Sequence, residues 1–171
     1  MSWRPANTSE DLPDFDEAGN LPVGDYAPSM AAIKAQLVER FNSETRAAIF
    51  QGWIKLQGEA LQKGASADAD VLLNGSFTTA KTNPNDLDLV IGIPTECNTS
   101  KKFTSLTPLF RGKGSIPEYN CDAYCFPLLP ETHPYYESLT LKFREYWLKW
   151  FGTSREMLQK GRLWARLGAE Q

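Results

Sequence analysis

Apolar residues recur at four-residue steps through Ile33, Leu37 and Phe41, and again through Ile49, Trp53, Leu56 and Ala60. Such spacing keeps side chains on one face of a helix, so two α-helices are expected. The first opens at Pro28, since proline is tolerated at a first helical position, and ends at Asn42-Ser43. The second runs roughly from Glu44 to Lys63, capped by Ser43 and stopped by Gly64. The period then changes. Val71-Leu72-Leu73 is a short apolar run between turn residues, and Leu87 to Ile93 is a longer run rich in β-branched residues. Both predict strands, and Tyr119 to Phe126 predicts a third. Further on, Tyr136, Leu139, Phe143, Trp147 and Trp150 outline an amphipathic helix from about Tyr135 to Phe151. Its aromatic residues are expected in the core rather than as a base-stacking platform.

Between these elements the pattern fades. Residues 1–27 carry Pro5, Pro13, Gly19, Pro22 and Gly24 without a helical period. They predict an extended arm, anchored to the domain by Phe15, Leu21, Val23 and Tyr26. Residues 28–171 then form one domain. Residues 94–118, with Lys101, Lys102, Arg111 and Lys113, read as a long, mobile, locally basic loop, and the stretch from Gly152 to Gln171 as a tail that is basic up to Arg166.

Composition narrows the function classes. The 171 residues are one domain's worth, and 42% hydrophobic against 23% charged residues is enough apolar surface for a core. A net charge of −3 implies no whole-surface attraction to nucleic acid or anionic lipid. Apolar runs fall well short of the ~20 residues of a membrane span. The N-terminus lacks the basic-then-apolar order of a secretion signal, so a cytoplasmic location is expected. Three cysteines make no disulfide framework, and Cys121 and Cys125 are expected to be reduced and buried. The single histidine, His133, lies between Pro130 and Pro134 and reads as a surface-loop residue. That removes most zinc and Ser-His-Asp chemistry.

What remains is the stretch from Asn74 to Ile91. Gly75-Ser76 forms a turn after the first apolar run, and Asp86-x-Asp88 heads the second. Side chains alternate along a strand, so Asp86 and Asp88 face one way and Leu87, Leu89 and Ile91 the other. Paired carboxylates repel by a few kcal/mol at an effective dielectric near ~20, and a hard cation relieves the repulsion. Gly75 allows a phosphate close to the backbone, while Ser76, Thr78, Thr79 and Lys81 offer donors. Asp-x-Asp alone is a weak pattern, since Asp14/Asp16 and Asp68/Asp70 repeat it. Only Asp86/Asp88 combines a Gly-Ser turn with a following strand. Asp122, inside an otherwise apolar strand, is the candidate third carboxylate, because an acid buried there without a partner is costly. Cys121, Ala123 and Cys125 fall on the opposite face.

Gly75-Ser76, Asp86-x-Asp88 and a distal Asp122 together resemble the DNA polymerase β-like nucleotidyltransferase superfamily, close to its minimal bacterial members. More narrowly, the segment from Asp14 to Gly24, Gly75-Ser76-Phe77 with Lys81 and Pro84-Asn85-Asp86, and Trp150 to Arg155 with Lys160-Gly161 resemble a little-studied bacterial and phage family of such proteins. The likeness spans nearly the whole chain. It departs where Thr79-Ala80 replace a second glycine, and where the interval from Gly75 to Asp86 is shorter by one residue. The resemblance implies an α+β fold, a small mixed sheet flanked by helices. It implies Mg²⁺ or Mn²⁺, two ions, on Asp86, Asp88 and Asp122. Gly75, Ser76 and Thr78 would bind the nucleotide, helped by the cations Lys81, Arg155 and Lys160. The expected reaction moves a nucleoside monophosphate from an NTP such as ATP to a hydroxyl of an RNA end, a protein or a small molecule. The setting it implies is toxin–antitoxin or phage defence, with an antitoxin or other partner protein. A rival reading is a non-catalytic nucleotide sensor or interaction module that keeps the fold.

Overall fold

The alternation that placed Leu87, Leu89 and Ile91 opposite Asp86 and Asp88 organises the protein as a central sheet with a core on each face. The computed structural model describes residues 2–96, 98–154 and 157–169. Strands β1 (Asp25–Tyr26), β2 (Asp70–Asn74), β3 (Leu87–Pro94), β4 (Cys121–Leu128) and β5 (Arg162–Arg166) form one mixed sheet in the order β1-β5-β2-β3-β4. β2 runs antiparallel to both β3 and β5, whereas β3–β4 and β1–β5 are parallel. The fold is mixed α+β.

On one face lie α1 (Met30–Leu37) and α2 (Glu44–Gln62). Ser29 and Ser43 cap them by accepting from the amides of Ala32 and Arg46. The first helix thus starts just past Pro28, and its third apolar position, Phe41, falls in a separate 3₁₀ turn. Ile33, Leu37, Ile49, Trp53, Leu56 and Ala60 pack against Val71, Leu73, Leu89, Ile91, Leu163 and Ala165 of the sheet. The other face carries a smaller, aromatic core: Trp3, Leu72, Val90, Phe126, Trp147, Phe151 and Trp164. Gly92 is required there, since a Cβ would collide with the Trp3 indole.

Four expectations change. The arm contributes β1, a parallel edge strand, and plugs Trp3 into the second core; Leu21 is buried as expected but Val23 is exposed. The loop at 94–118 contains two short helices, α3 (Lys101–Leu106) and α4 (Ile116–Tyr119). Tyr119 therefore ends a helix, and β4 begins after Asn120 reverses the chain in the left-handed region at φ 52°. The basic tail contains β5, an interior strand. Its outward residues Arg162 and Arg166 are accommodated by Asp25 and Asp70. The last helix begins as a π-helix (Tyr136–Leu141) before α5 (Lys142–Phe151). Wider π turns shift the phase of the following helix. Thr140, Trp147 and Phe151 face inward, while Phe143, Tyr146 and Trp150 are turned outward. No described helix is long and apolar enough to cross a membrane.

Candidate functional site

Strand register brings the predicted acids together. Asp88 pairs with Asn74 on β2 and with Asp122 on β4. Asn74, Asp88 and Asp122 therefore form a row across three adjacent strands, on the face that also carries α5, with strands about 4.8 Å apart. Asp86 lies just before β3 at the same edge, and its charge is felt by both Asp122 and Cys121. Gly75 follows β2 directly with φ 77°, and a Cβ there would collide with Oδ2 of Asp88. This glycine is fixed both by its backbone conformation and by the carboxylate against it.

The loop from Ser76 to Thr82 is organised by a residue that the periodic pattern does not single out. Arg46, wholly buried in the first turn of α2, donates from Nη1 to the carbonyls of Leu37 (2.6 Å) and Phe77 (2.8 Å). From Nη2 it donates to Thr79 and Lys81, both at 2.6 Å, and from Nε to Lys81 (3.2 Å) and Thr82 (3.3 Å). Its guanidinium stacks 3.9 Å from the Phe41 ring centroid. Burial lowers its pKa to about 10, and it stays charged at neutral pH. One cation thus turns successive loop carbonyls inward. The arm braces the same loop, because the Ala80 amide donates to the Gly19 carbonyl at 2.8 Å.

Asp122 is 6% exposed, and its Oδ1 is buried without a hydrogen-bond partner. Burial holds its carboxyl above the usual range and the Asp86 charge adds to that, while a hydrogen bond from Tyr124 and the charge of Lys113 oppose it. The Tyr124 phenol is in turn pushed up to about 12, by burial first and then by its bond to Asp122. Cys121, on the opposite face, is driven up by burial and by the charges of Asp86 and Asp88, and Cys125 is pushed up to about 12 by burial alone. Both are free thiols, Cys125 only half-buried.

The remaining predicted residues are distributed as follows. Ser76 opens a 3₁₀ turn (Ser76–Thr78) and is half-buried. Thr78 is buried beneath that turn, its hydroxyl donating to the Gly75 carbonyl (3.1 Å), so it shapes the turn from below. Lys81 is exposed at the loop's rim. Lys160 lies just before β5, at the sheet end that carries Gly75 and Asp88, because Leu163 pairs with Leu73. It is buried, with its amide bonded to the Gly152 carbonyl (3.0 Å). Arg155 lies outside the described residues. His133 is in a turn, its Nδ1 accepting from the Tyr135 amide. Three contributors were not foreseen at this end: Arg46, Tyr124 and Lys113. An arginine on the apolar side of a helix was the available signal for the first. Tyr124 follows from Asp122 by strand alternation.

For a divalent cation, the chemistry of the donor set fits: hard carboxylate oxygens, one of them a buried orphan. The side chains as placed do not, among the described residues, gather three acidic, histidine or cysteine ligands about one point. The site is a row of acids along a sheet edge rather than a preformed cage.

Fold and site together define a mixed α+β protein with a carboxylate row and an arginine-braced glycine turn at one end of its sheet. The chain belongs to DUF6932, a family of unknown function, whose model matches residues 13–165. That span takes in the arm from Pro13 onward and all of β5 but its last residue. Neither the curated proteins nor the solved structures compared contain a match.

Proposed function

We propose that the protein is a metal-dependent nucleotidyltransferase, moving a nucleoside monophosphate from an NTP to a hydroxyl. The observation that carries this reading is the row Asp88–Asp122 beside the Gly75 turn, with Asp86 at the same edge. Asp86, Asp88 and Asp122 would hold Mg²⁺ or Mn²⁺, which when bound neutralises the phosphates and the charge developing in transfer. The chain's own residues then have separate tasks. Amides at Gly75 and Ser76 receive phosphate oxygens, in a loop whose shape Arg46 fixes. Lys81, Lys113 and Lys160 supply positive charge around that loop and the acids. Asp122, with its raised pKa, suits acceptance of the proton from the attacking hydroxyl. In-line attack on the α-phosphorus forms the new P–O bond as the bond to pyrophosphate breaks.

The test is incubation with each α-labelled NTP, Mg²⁺ or Mn²⁺, and RNA or cell lysate. Label transfer by wild type and its loss in Asp86→Ala/Asp88→Ala supports the reading; equal behaviour of the two ends it. The absence of a preformed three-ligand cluster among the described residues favours a second reading, a nucleotide-binding module without catalysis. That reading predicts NTP binding with no label transferred under any metal.

A further inference from the structure

We propose that the exposed aromatic stripe of α5 binds the bases of a single-stranded nucleic acid, leading its end toward Asp122. This rests on the transferase reading for its consequence, the identity of the acceptor, but not for its geometry. Tyr146 and Trp150 are 51% and 62% exposed, and their rings lie nearly parallel, 14° apart with centroids at 6.2 Å. Phe143, 40% exposed, continues the stripe. At a rise of 1.5 Å per residue, Phe143 and Trp150 are about 10 Å apart along the axis, room for ~3 bases at 3.4 Å. A mononucleotide would use only part of it.

Charge points to the same occupant. The chain as a whole is acidic, yet α5 carries Lys142, Arg144 and Lys149 against Glu145 alone. At 100° per residue, Lys142 and Lys149 fall within about 60° of Tyr146, flanking the rings on one side. Aromatic faces with a line of cations beside them are how single strands are held without sequence preference. The stripe is also continuous with the candidate site. Tyr146 packs edge-on against Trp147 at 5.0 Å, Trp147 lies 4.9 Å from Tyr124, and Tyr124 stands two residues from Asp122 on the same face of β4. The stripe thus lies one aromatic layer, Trp147, from the tyrosine on the Asp122 face of β4.

Fluorescence anisotropy with labelled 12-mers of rU, rA and dT, and with labelled UTP and ATP, tests this. Wild type is expected to bind the oligomers in preference to the mononucleotides; the rU and dT arms separate RNA from DNA. Tyr146→Ala/Trp150→Ala should weaken oligomer binding roughly 10- to 100-fold, and Tyr146→Phe/Trp150→Phe should restore most of it. Lys142→Gln/Lys149→Gln should lower the slope of log K against log salt by about 1.4. Asp86→Asn/Asp88→Asn should still bind oligomers, which separates this inference from the transferase reading. Oligomer binding without label transfer upholds the stripe and removes the transferase. Transfer to a small acceptor with no oligomer binding does the reverse. No oligomer binding by wild type, or equal binding by the double alanine variant, overturns the inference. So does concentration-dependent dimerisation abolished by Trp150→Ala, which would make the stripe a contact between copies.

Discussion

Each end of the central sheet carries an Asp-x-Asp pair, Asp68/Asp70 at the start of β2 and Asp86/Asp88 at the start of β3, and a buried acid, Asp70 or Asp122, whose surroundings differ. At one end, Asp70 is 1% exposed and surrounded by its own partners. Its Oδ2 accepts from the Ser2 hydroxyl and from the amides of Trp3 and Arg4. The guanidinium groups of Arg4 and Arg166 lie 3.8 and 3.6 Å from Oδ1. Its companion Asp68 is exposed. At the other end, Asp122 is nearly as buried, and the cation acting on it is Lys113, an exposed lysine; Oδ1 of each acid lacks a hydrogen-bond donor, but that of Asp70 faces two guanidinium groups. The first acid is a structural tie that pins the N-terminal arm to the sheet. The second is disfavoured as a charge by burial and by Asp86. The two buried acids are told apart by their surroundings: Asp70 has hydrogen-bond donors on Oδ2 and guanidinium groups beside Oδ1, and Asp122 has the exposed Lys113.

The comparison breaks most directly by removing acids at each end in turn. Asp86→Ala/Asp88→Ala should cost transfer at least ~10³-fold, about 4 kcal/mol, with the thermal midpoint little changed. Asp70→Ala should do the opposite. It leaves three donors and two guanidinium groups without their carboxylate, a loss of roughly 3 kcal/mol, which for a chain of this size lowers the midpoint by about 6–12 °C. Label transfer and thermal melts on the same two preparations check both. Loss of transfer in folded Asp70→Ala, or collapse of the fold in the other variant, would erase the distinction.

Arg46 sharpens it next. Arg46→Met keeps the stem but leaves the carbonyls of Leu37, Phe77, Thr79 and Lys81 without this donor. The expected cost is about 2–3 kcal/mol, read as a lower urea midpoint. Limited proteolysis should then open the chain first at residues 76–82, while the Asp70 end stays protected. Gly75→Ala is a smaller perturbation of the same loop. Its φ of 77° costs an alanine about 1–2 kcal/mol, and the added methyl displaces the Asp88 carboxylate. Transfer should fall further than stability does.

Much of this contrast was readable in the chain, and what was not has physical causes. Periodicity located α1, α2, β2 and β3, because each buries one face in a large core. The Gly75 turn and Asp86-x-Asp88 were legible because both lie beside such elements. β5 was missed: Arg162-Leu-Trp-Ala-Arg166 looks like a solvated basic segment until Asp25 and Asp70 are seen to receive its arginines. No local pattern announces partners 137 and 96 positions away. The outward turn of Tyr146 and Trp150 was missed because the buried face of α5 is centred on Trp147 and Phe151, and a stripe of aromatic positions does not tell which of its sides meets the sheet.

The smallest effect is the most discriminating. Asp122→Asn keeps the shape but removes a charge that burial and Asp86 disfavour, so at neutral pH it should stabilise the protein while abolishing transfer. The sign follows from the raised pKa. The folded state prefers the protonated carboxyl, so this group's favourable contribution is full at low pH and is lost as pH rises through its folded value. Asparagine does not titrate. The difference between variant and wild type should therefore be near zero in the acid range and grow as pH climbs above the ordinary carboxylate value. An orphaned buried oxygen is worth roughly 1 kcal/mol at the low end, or about 2–4 °C in midpoint. Adding Mg²⁺ or Mn²⁺ at pH 7.5 should then raise the wild-type midpoint and leave the asparagine variant nearly unmoved, closing the gap. If both respond equally, the cation binds elsewhere, and Asp122 is only another buried acid like Asp70, with a poorer set of partners.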